Sequence, residues 1–240
     1  MKVEYYLNAV YFPENSICAC ADVHIGIEDA LISEGFSLPL DEEKMLLERF
    51  RAIIKKYHPK TFVLDGDVLH EFGRLCRNTK RSFDHIMMEL MASVDEVVIV
   101  TGSHDRMMEA ALQSLDAKSE TSFFKGGILF THGDALPARA KDDDVELIVI
   151  GHEHPTLDIE LKKEPCFLYG KKVWHEKDVL VLPAFNSLCI GTTINGMASW
   201  DFMSPFIRES DIGLYRPVIT VEDTVLEFPP LKDFRDILNI

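Results

Sequence analysis

The chain has 240 residues, enough for one large α/β domain that folds without disulfides or a structural metal, so any metal it holds is expected to be functional. Forty acidic against 25 basic residues give a formal charge of −15, which argues against broad attraction to nucleic acid or anionic membranes because counterion release needs clustered Lys and Arg. The five cysteines (Cys18, Cys20, Cys76, Cys166, Cys189) are odd in number and irregularly spaced; they read as reduced, mostly core thiols of a cytoplasmic protein, not as a disulfide framework.

The first residues lack the apolar stretch of a signal peptide, and no run approaches the roughly 18 apolar residues of a membrane span. Residues 3–12 carry two short apolar and aromatic pieces, and Ser16 to Ala21 is a β-prone run that ends in Asp22-Val23-His24. The carboxyl end of a strand is where open α/β sheets place their ligands. Asp41 caps a predicted helix in which Leu46, Phe50, Ile53, Ile54 and Tyr57 share a face, Lys55 and Lys56 close the last turn and Pro59 stops it.

Thr61 to Leu64 reads as a buried strand running into Asp65-Gly66-Asp67-Val68-Leu69-His70. A second helix follows, with Phe83, Ile86, Met87, Leu90 and Val94 at core spacing, its methionines packing residues. Val97 to Val100 is a third strand and delivers Thr101-Gly102-Ser103-His104-Asp105, after which Met108, Ala111, Leu112 and Leu115 mark a short helix. Strand, polar cluster and helix recur three times, as in an α/β architecture with its site along one edge.

From Ser119 the pattern turns to consecutive strands: Thr121 to Lys125, a Gly126-Gly127 turn, then Ile128 to Thr131 ending in His132-Gly133-Asp134. The apolar run Val145 to Ile150 ends in Gly151-His152-Glu153-His154. Side chains two apart on extended backbone point the same way, so His152 and His154 are expected to converge on one site. Further β-type stretches fall at about 156–161, 165–169, 178–182, 216–221 and 224–228, and Leu231 to Ile240 is expected to dock as a helix. With no linker, repeat or low-complexity tract, residues 1–240 read as a single domain with two β-α-β-like halves.

Asp22/His24, Asp67/His70, His104/Asp105, His132 and His152/His154 each lie just past an apolar run, a placement that scattered core histidines would not favour. Mixed carboxylate and imidazole groups suit manganese, iron or zinc better than calcium, and the absence of paired cysteines argues against a structural zinc. The candidates exceed the needs of one ion. Two metals about 3.5–4 Å apart, bridged by a carboxylate, activate water and clamp the oxygens of an in-line phosphoryl displacement, so phosphoester hydrolysis is the natural reaction class. His104, with Asp105 to orient it, can donate a proton to the leaving oxygen.

Plainer readings stand beside these. His70 also suits a strand-end cap and Asp105 a helix cap; Arg106, Arg139 and Lys141 read as solvated charges that could meet a phosphate. Asp142-Asp143-Asp144 reads as a solvated turn. His58, His85 and His175 fit no motif, and Cys18-Ala19-Cys20 lacks zinc-pair spacing. Neither a Gly-rich phosphate loop nor a Gly-x-Ser-x-Gly elbow is present.

Taken in order, Asp22-Val23-His24, Gly66-Asp67-Val68-Leu69-His70, Gly102-Ser103-His104-Asp105, Thr131-His132-Gly133-Asp134 and Gly151-His152-Glu153-His154 resemble the motifs of the calcineurin-like metallophosphoesterases. The wording at 67–73, the Gly35-Phe36-Ser37-Leu38-Pro39 segment and Leu182-Pro183-Ala184-Phe185-Asn186 are similar to an archaeal branch related to the phosphoesterase subunit of the double-strand-break repair nuclease. The resemblance implies a four-layer αββα sandwich of two mixed β-sheets without a capping domain. It implies two divalent metal ions, manganese with iron or zinc as alternatives, one held by Asp22, His24, Asp67 and His154 and the other by Asp67, Ser103, His132 and His152. His104 would be the catalytic histidine, and His70 would help place a nucleic-acid substrate. Asn186 belongs to the family-like stretch without an evident physical role.

One departure bears on the second ion: Ser103 stands where the family usually has Asn, and its shorter, poorer donor oxygen implies weaker binding there. The implied substrate is a phosphoester, a phosphodiester on the strength of the branch, drawn from nucleotides or nucleic acid. The implied partners are a second copy of the chain or a repair protein, with no membrane. The competing reading is a weakly active or non-catalytic metal-binding interaction subunit in DNA repair or nucleotide handling. A nuclease on DNA ends would need a partner to supply the missing substrate groove.

Overall fold

The computed structural model describes residues 1–36, 41–70, 75–221 and 223–238. The first sheet holds β1 (Glu4–Tyr6), β2 (Ala9–Phe12), β3 (Ile17–Cys20), β4 (Thr61–Asp65), β5 (Glu96–Val100) and β6 (Ser119–Glu120), in that spatial order. Its first three strands run antiparallel, while β3, β4, β5 and β6 pair in parallel. Of the parallel strands, β3 and β4 are short, mostly apolar runs because both of their faces are covered.

The helices that connect them are α1 (Ile27–Ser33), α2 (Glu42–Tyr57), α3 (Arg77–Ser93) and α4 (Met108–Leu112). Asp41 accepts a hydrogen bond from the Lys44 N–H at the start of α2, and His58, at φ 46°, closes it in a left-handed C-cap. Leu46, Phe50 and Ile53 of α2 and Phe83, Ile86, Met87 and Leu90 of α3 are buried against the sheet. Helix α1 carries too little periodic signal to be read from sequence; it starts at Gly26 without a side-chain cap.

The second sheet is built from β7 (Phe123–Lys125), β8 (Ile128–Phe130) and β9 (Leu147–Ile150), with β12 (Phe167–Trp174), β13 (Lys177–Val181), β15 (Arg216–Val221) and β16 (Thr224–Glu227) from later in the chain. Between them β10 (Pro155–Ile159), β11 (Lys162–Pro165) and β14 (Thr192–Thr193) form a small separate sheet. The large sheet has the order β16-β15-β12-β13-β9-β8-β7, with β8, β9 and β13 parallel and the flanking pairs antiparallel, so it is mixed.

Alternation along the strands sorts the core into three layers of contact. Cys18, Cys20, Phe62, Leu64 and Ile99 face the helices. Their neighbours Ile17, Ala19, Val63, Val98 and Val100 meet Ile128, Phe130, Leu147, Val149 and Leu180 between the two large sheets. On the far side, Ile148, Ile150, Val179 and Val181 pack under Phe202, Phe206 of α5 (Pro205–Arg208) and Leu231 of α6 (Leu231–Leu238). Helices, sheet, sheet and an outer cover make four layers. The outer cover is mostly short helical turns and the three-stranded sheet, not long helices.

Three expectations change in detail. The stretch 121–125 shortens to Phe123–Lys125, which starts the second sheet, and an unexpected strand, Ser119–Glu120, precedes it and finishes the first. The stretch 165–169 belongs to two strands, because the polar Lys162–Pro165 pairs with β10 through a turn at Glu160 and Leu161 (φ 51° and 68°), where alternation gives no apolar signal. The expected terminal helix is present through Leu238, with Asn239 and Ile240 outside the described residues, as are Ser37 to Pro39 and Glu71 to Gly73 of two of the three family-like stretches. Among the described residues no helix is long and apolar enough to cross a membrane.

Candidate metal centre

The loops beyond β3, β4, β8 and β9 continue to hydrogen-bond after the sheets end. Asp22 N–H donates to Gly66 O (3.0 Å), His24 N–H to Asp67 O (2.9 Å), Ile25 N–H to Val68 O (2.8 Å) and Gly151 N–H to His132 O (3.0 Å). This stitching forces an unusual backbone: Asp22, His24, Asp67, His152 and His154 have φ of 57°, 45°, 46°, 70° and 44°. Left-handed backbone at non-glycine residues costs roughly 1–3 kcal/mol apiece and concentrates where structure is held for function. The expected reason for convergence of His152 and His154, an extended backbone, is therefore replaced. Both residues lie past the end of β9 in left-handed bends, and they serve different ends of the site.

Two clusters share Asp67. Ligand atoms of Asp22, His24 and Asp67 all lie within 4.8 Å of one another, and so do those of Asp67, His132 and His152. His154 Nε2 is 3.0 Å from Asp22 Oδ1, while His132 Nε2 is 3.3 Å from Asp67 Oδ2 and 3.1 Å from His152 Nδ1. Such crowding depends on Gly102, where a Cβ would stand 2.3 Å from Asp67 Oδ1, and on Gly66, at φ 86°, where it would stand 2.2 Å from His132 Nδ1.

The electrostatics show a site short of positive charge. Burial would raise the carboxyl of Asp22, but His154, His132 and His24 outweigh it and hold the group below its ordinary range. Burial is likewise overcome at Asp67 by the hydrogen bond and charge of His132, which leaves that carboxyl strongly acidic. At His132 the desolvation that favours the neutral ring loses to Asp67 and Asp22, and the imidazole is pushed up to about 10. His24 goes the other way, down to about 4, because burial prevails over the same two carboxylates. A proton on His132 thus stands in for a cation between the acids.

The residues fit divalent metal on a second count. Asp22 Oδ1 and His132 Nδ1 are buried and make no hydrogen bond, although His154 Nε2 lies 3.0 Å from the first. Carboxylate and imidazole in this mixture suit manganese, iron or zinc.

The remaining candidates divide. His104 donates its backbone N–H to Asp67 Oδ1 (2.8 Å), its ring stacks on His70 at 5.8 Å, and its Nε2 is 3.8 Å from Asp67 Oδ2. His70 Nδ1 is 3.2 Å from His24 Nδ1. Asp105 gives both oxygens to backbone, accepting from Leu69 N–H (2.9 Å) and Gly102 N–H (2.8 Å), so it clamps the loops of β4 and β5 together. Ser103 is exposed, and its hydroxyl reaches Asp67 Oδ2 only at 3.5 Å. Arg139 is tied to Asp142 and Asp144 and lies over Phe124, His85 pairs with Glu43, and His175 packs on Trp174.

Two residues without an assigned role in the sequence belong here. Asn186 is buried; its Nδ2 donates to Val23 O (2.9 Å) and Glu42 Oε1 (2.6 Å), and its Oδ1 accepts from Leu188 N–H (2.9 Å). It pins the segment after β13 to the Asp22–His24 loop. That segment carries Cys189, whose sulfur lies within 4.8 Å of ligand nitrogens of both His24 and His154. No local spacing marks either residue, since the partners are more than 140 positions away in sequence or on another loop. His24, His70, His104 and His154 line a cavity of about 300 Å³ together with Ile27 and Leu31 of α1 and with Leu188 and Ile190.

Residues 16–135 match the calcineurin-like phosphoesterase family. Among solved structures the chain is similar to Pseudomonas putida nuclease MPE, at 19% identity and a TM-score of 0.62 over 90% of this chain and 91% of that one. It also matches YfcE, a phosphoesterase from E. coli, at 15% identity and a TM-score of 0.40 over 90% and 93%. No curated protein matches the sequence. With the family match spanning half the chain and running through the loops that carry Asp22, Asp67, Ser103 and His132, this protein belongs to the calcineurin-like phosphoesterases.

Proposed function

We propose that the protein is a two-metal phosphoesterase acting on a phosphodiester. The observation that carries this reading is the sharing of Asp67: one carboxylate belongs to two ligand clusters, and the backbone of His104 is bonded to it. Asp22, His24, Asp67 and His154 would hold one ion, and Asp67, His132 and His152 the other. Bound ions of this kind supply positive charge for a phosphoryl group and lower the pKa of water.

The chain's own groups do the rest. Asp67, fixed by the His104 N–H, keeps the two clusters in register. His104 lines the cavity with 29% of its side chain exposed, where it can donate a proton to the leaving oxygen. His70, stacked on His104 and touching His24, limits the rotation of both rings. Ile27, Leu31 and Leu188 give the cavity an apolar lining beside these rings. A phosphodiester, in place of a monoester, rests on the sequence resemblance to the archaeal repair-nuclease branch, and a nuclease among proteins of this fold is in line with it.

The test is hydrolysis of bis-p-nitrophenyl phosphate with manganese, iron or zinc added. Turnover in wild type, lost in His104→Ala and Asp67→Asn, is the expected result. Absence of turnover across metals and pH, or undiminished turnover in both variants, defeats the proposal.

The exposed Ser103, short of the ligand cluster, favours a second reading: a weakly active interaction subunit that holds one ion firmly and the other poorly. Ser103→Asn separates the two. A large gain in turnover points to a decayed site, and little change to a site that works with serine.

A further inference from the structure

Cys189 sits on the bridge between the two loops that supply His24 and His154. At the near end of this bridge Asn186 donates its backbone N–H to Asp22 O (3.3 Å) and its Nδ2 to Val23 O (2.9 Å). At the far end Thr192 N–H donates to His154 O (2.8 Å), and the approach is so close that a Cβ on Gly191 would stand 2.8 Å from the same carbonyl. Between these anchors Cys189 N–H closes a turn onto Asn186 O (3.2 Å). The sulfur is thereby held beside the two imidazoles, all three ligand atoms lying within 4.8 Å of one another. An independent observation marks the same spot. Asp22 Oδ1, wholly buried, makes no hydrogen bond, yet lies 3.0 Å from His154 Nε2.

We infer that Cys189 is a thiolate ligand of the ion held by Asp22, His24 and His154, and that it makes this position select zinc, iron or cobalt over manganese. The inference rests on the two-metal reading and deepens it by naming the metal class. Thiolate is a soft donor that favours the later and borderline ions, whereas manganese prefers oxygen. Burial keeps the free thiol protonated; the charge of an arriving cation is what removes that proton, which leaves to water as the sulfur–metal bond forms. The other four thiols do not compete, because Cys18, Cys20 and Cys166 are buried in the core and Cys76 is exposed.

The experiment titrates metal-free protein with Co²⁺ and records the near-ultraviolet spectrum of wild type, Cys189→Ser, Cys189→Ala and Cys76→Ser. A sulfur-to-cobalt charge-transfer band in wild type and Cys76→Ser, absent from both Cys189 variants, is the expected result. Zinc affinity measured by chelator competition should fall in those two variants by about ten- to a hundredfold, the loss typical even of groups that only support a ligand, with manganese affinity changed far less. Cobalt bound by wild type without the band, or a band surviving in Cys189→Ser and Cys189→Ala, overturns the inference and leaves the two-metal reading standing. Failure of wild type to bind cobalt or zinc at all overturns both.

Discussion

Asn186→Ala should be among the most damaging changes outside the ligand set. The residue is 3% exposed and its amide makes bonds to Val23 O, Glu42 Oε1 and the N–H of Leu188. Truncation leaves those buried groups unpaired, at roughly 1–3 kcal/mol for each one that water cannot reach. Glu42 can relieve itself by taking a proton, since burial already pushes its carboxyl up to about 7 from 4.5. The net loss is therefore about 2–4 kcal/mol, in the tail of single substitutions.

The sign of the pH dependence follows from the same pair. A carboxyl whose pKa is raised on folding contributes stability below its unfolded value, and that contribution is lost as pH rises through the folded one. The Asn186 amide is a group that restrains this rise. Without it the pKa of Glu42 climbs further, so the variant should lose more stability relative to wild type at pH 8 than at pH 6. Urea unfolding in a chelating buffer at both values measures this. A loss below about 1 kcal/mol, or one no larger at pH 8, would refute the assignment of Asn186 as the anchor.

Chelation should lower thermal stability, because ions held by five left-handed residues offset strain that the metal-free chain bears alone. Saturating zinc at about 100 times its Kd adds about 2.7 kcal/mol, or some 5–10 °C in Tm at about 2–4 °C per kcal/mol for a chain of this size; a Tm indifferent to zinc, manganese and EDTA would count against the centre. Gly102→Ala should cut turnover by about 100-fold, the effect of displacing a reacting group by about an ångström, since its Cβ would meet Asp67 Oδ1 at 2.3 Å and the Asp67 backbone nitrogen at 2.5 Å. Gly196→Ala, with nothing within 4 Å, is the control and should leave turnover unchanged.

Much of the fold is legible because its signals are local. Asp41 and the apolar face of Leu46, Phe50 and Ile53 announce α2, and the runs at Ile17, Thr61 and Leu147 are buried on both sides. What escapes local reading has a tertiary cause. Lys162–Pro165 is a strand only because β10 lies beside it, and α1 forms where Gly26 meets Glu42, whose Oε2 accepts its N–H at 3.1 Å. Cys189 reads as a core thiol until the bridge from Asn186 to Thr192 sets it against His24 and His154.

The ligand loops show most sharply where pattern and physics part. Asp22, His24, His152 and His154 are identifiable as residues two apart beyond apolar strands, yet extended backbone is not what assembles them. Had Asp22 and His24 stayed extended, the loop could not have turned its N–H groups to Gly66 O and Asp67 O, and the two carboxylates would not have met. Left-handed bends at five charged or ring-bearing positions persist because neighbouring loops bond across them and because the pairs they create, such as Asp67 with His132, are strongly attractive. The same attraction makes the metal-free site hold a proton on His132, so ion binding should release it: in weakly buffered solution near pH 8, zinc uptake ought to acidify the medium, and less so in His132→Gln.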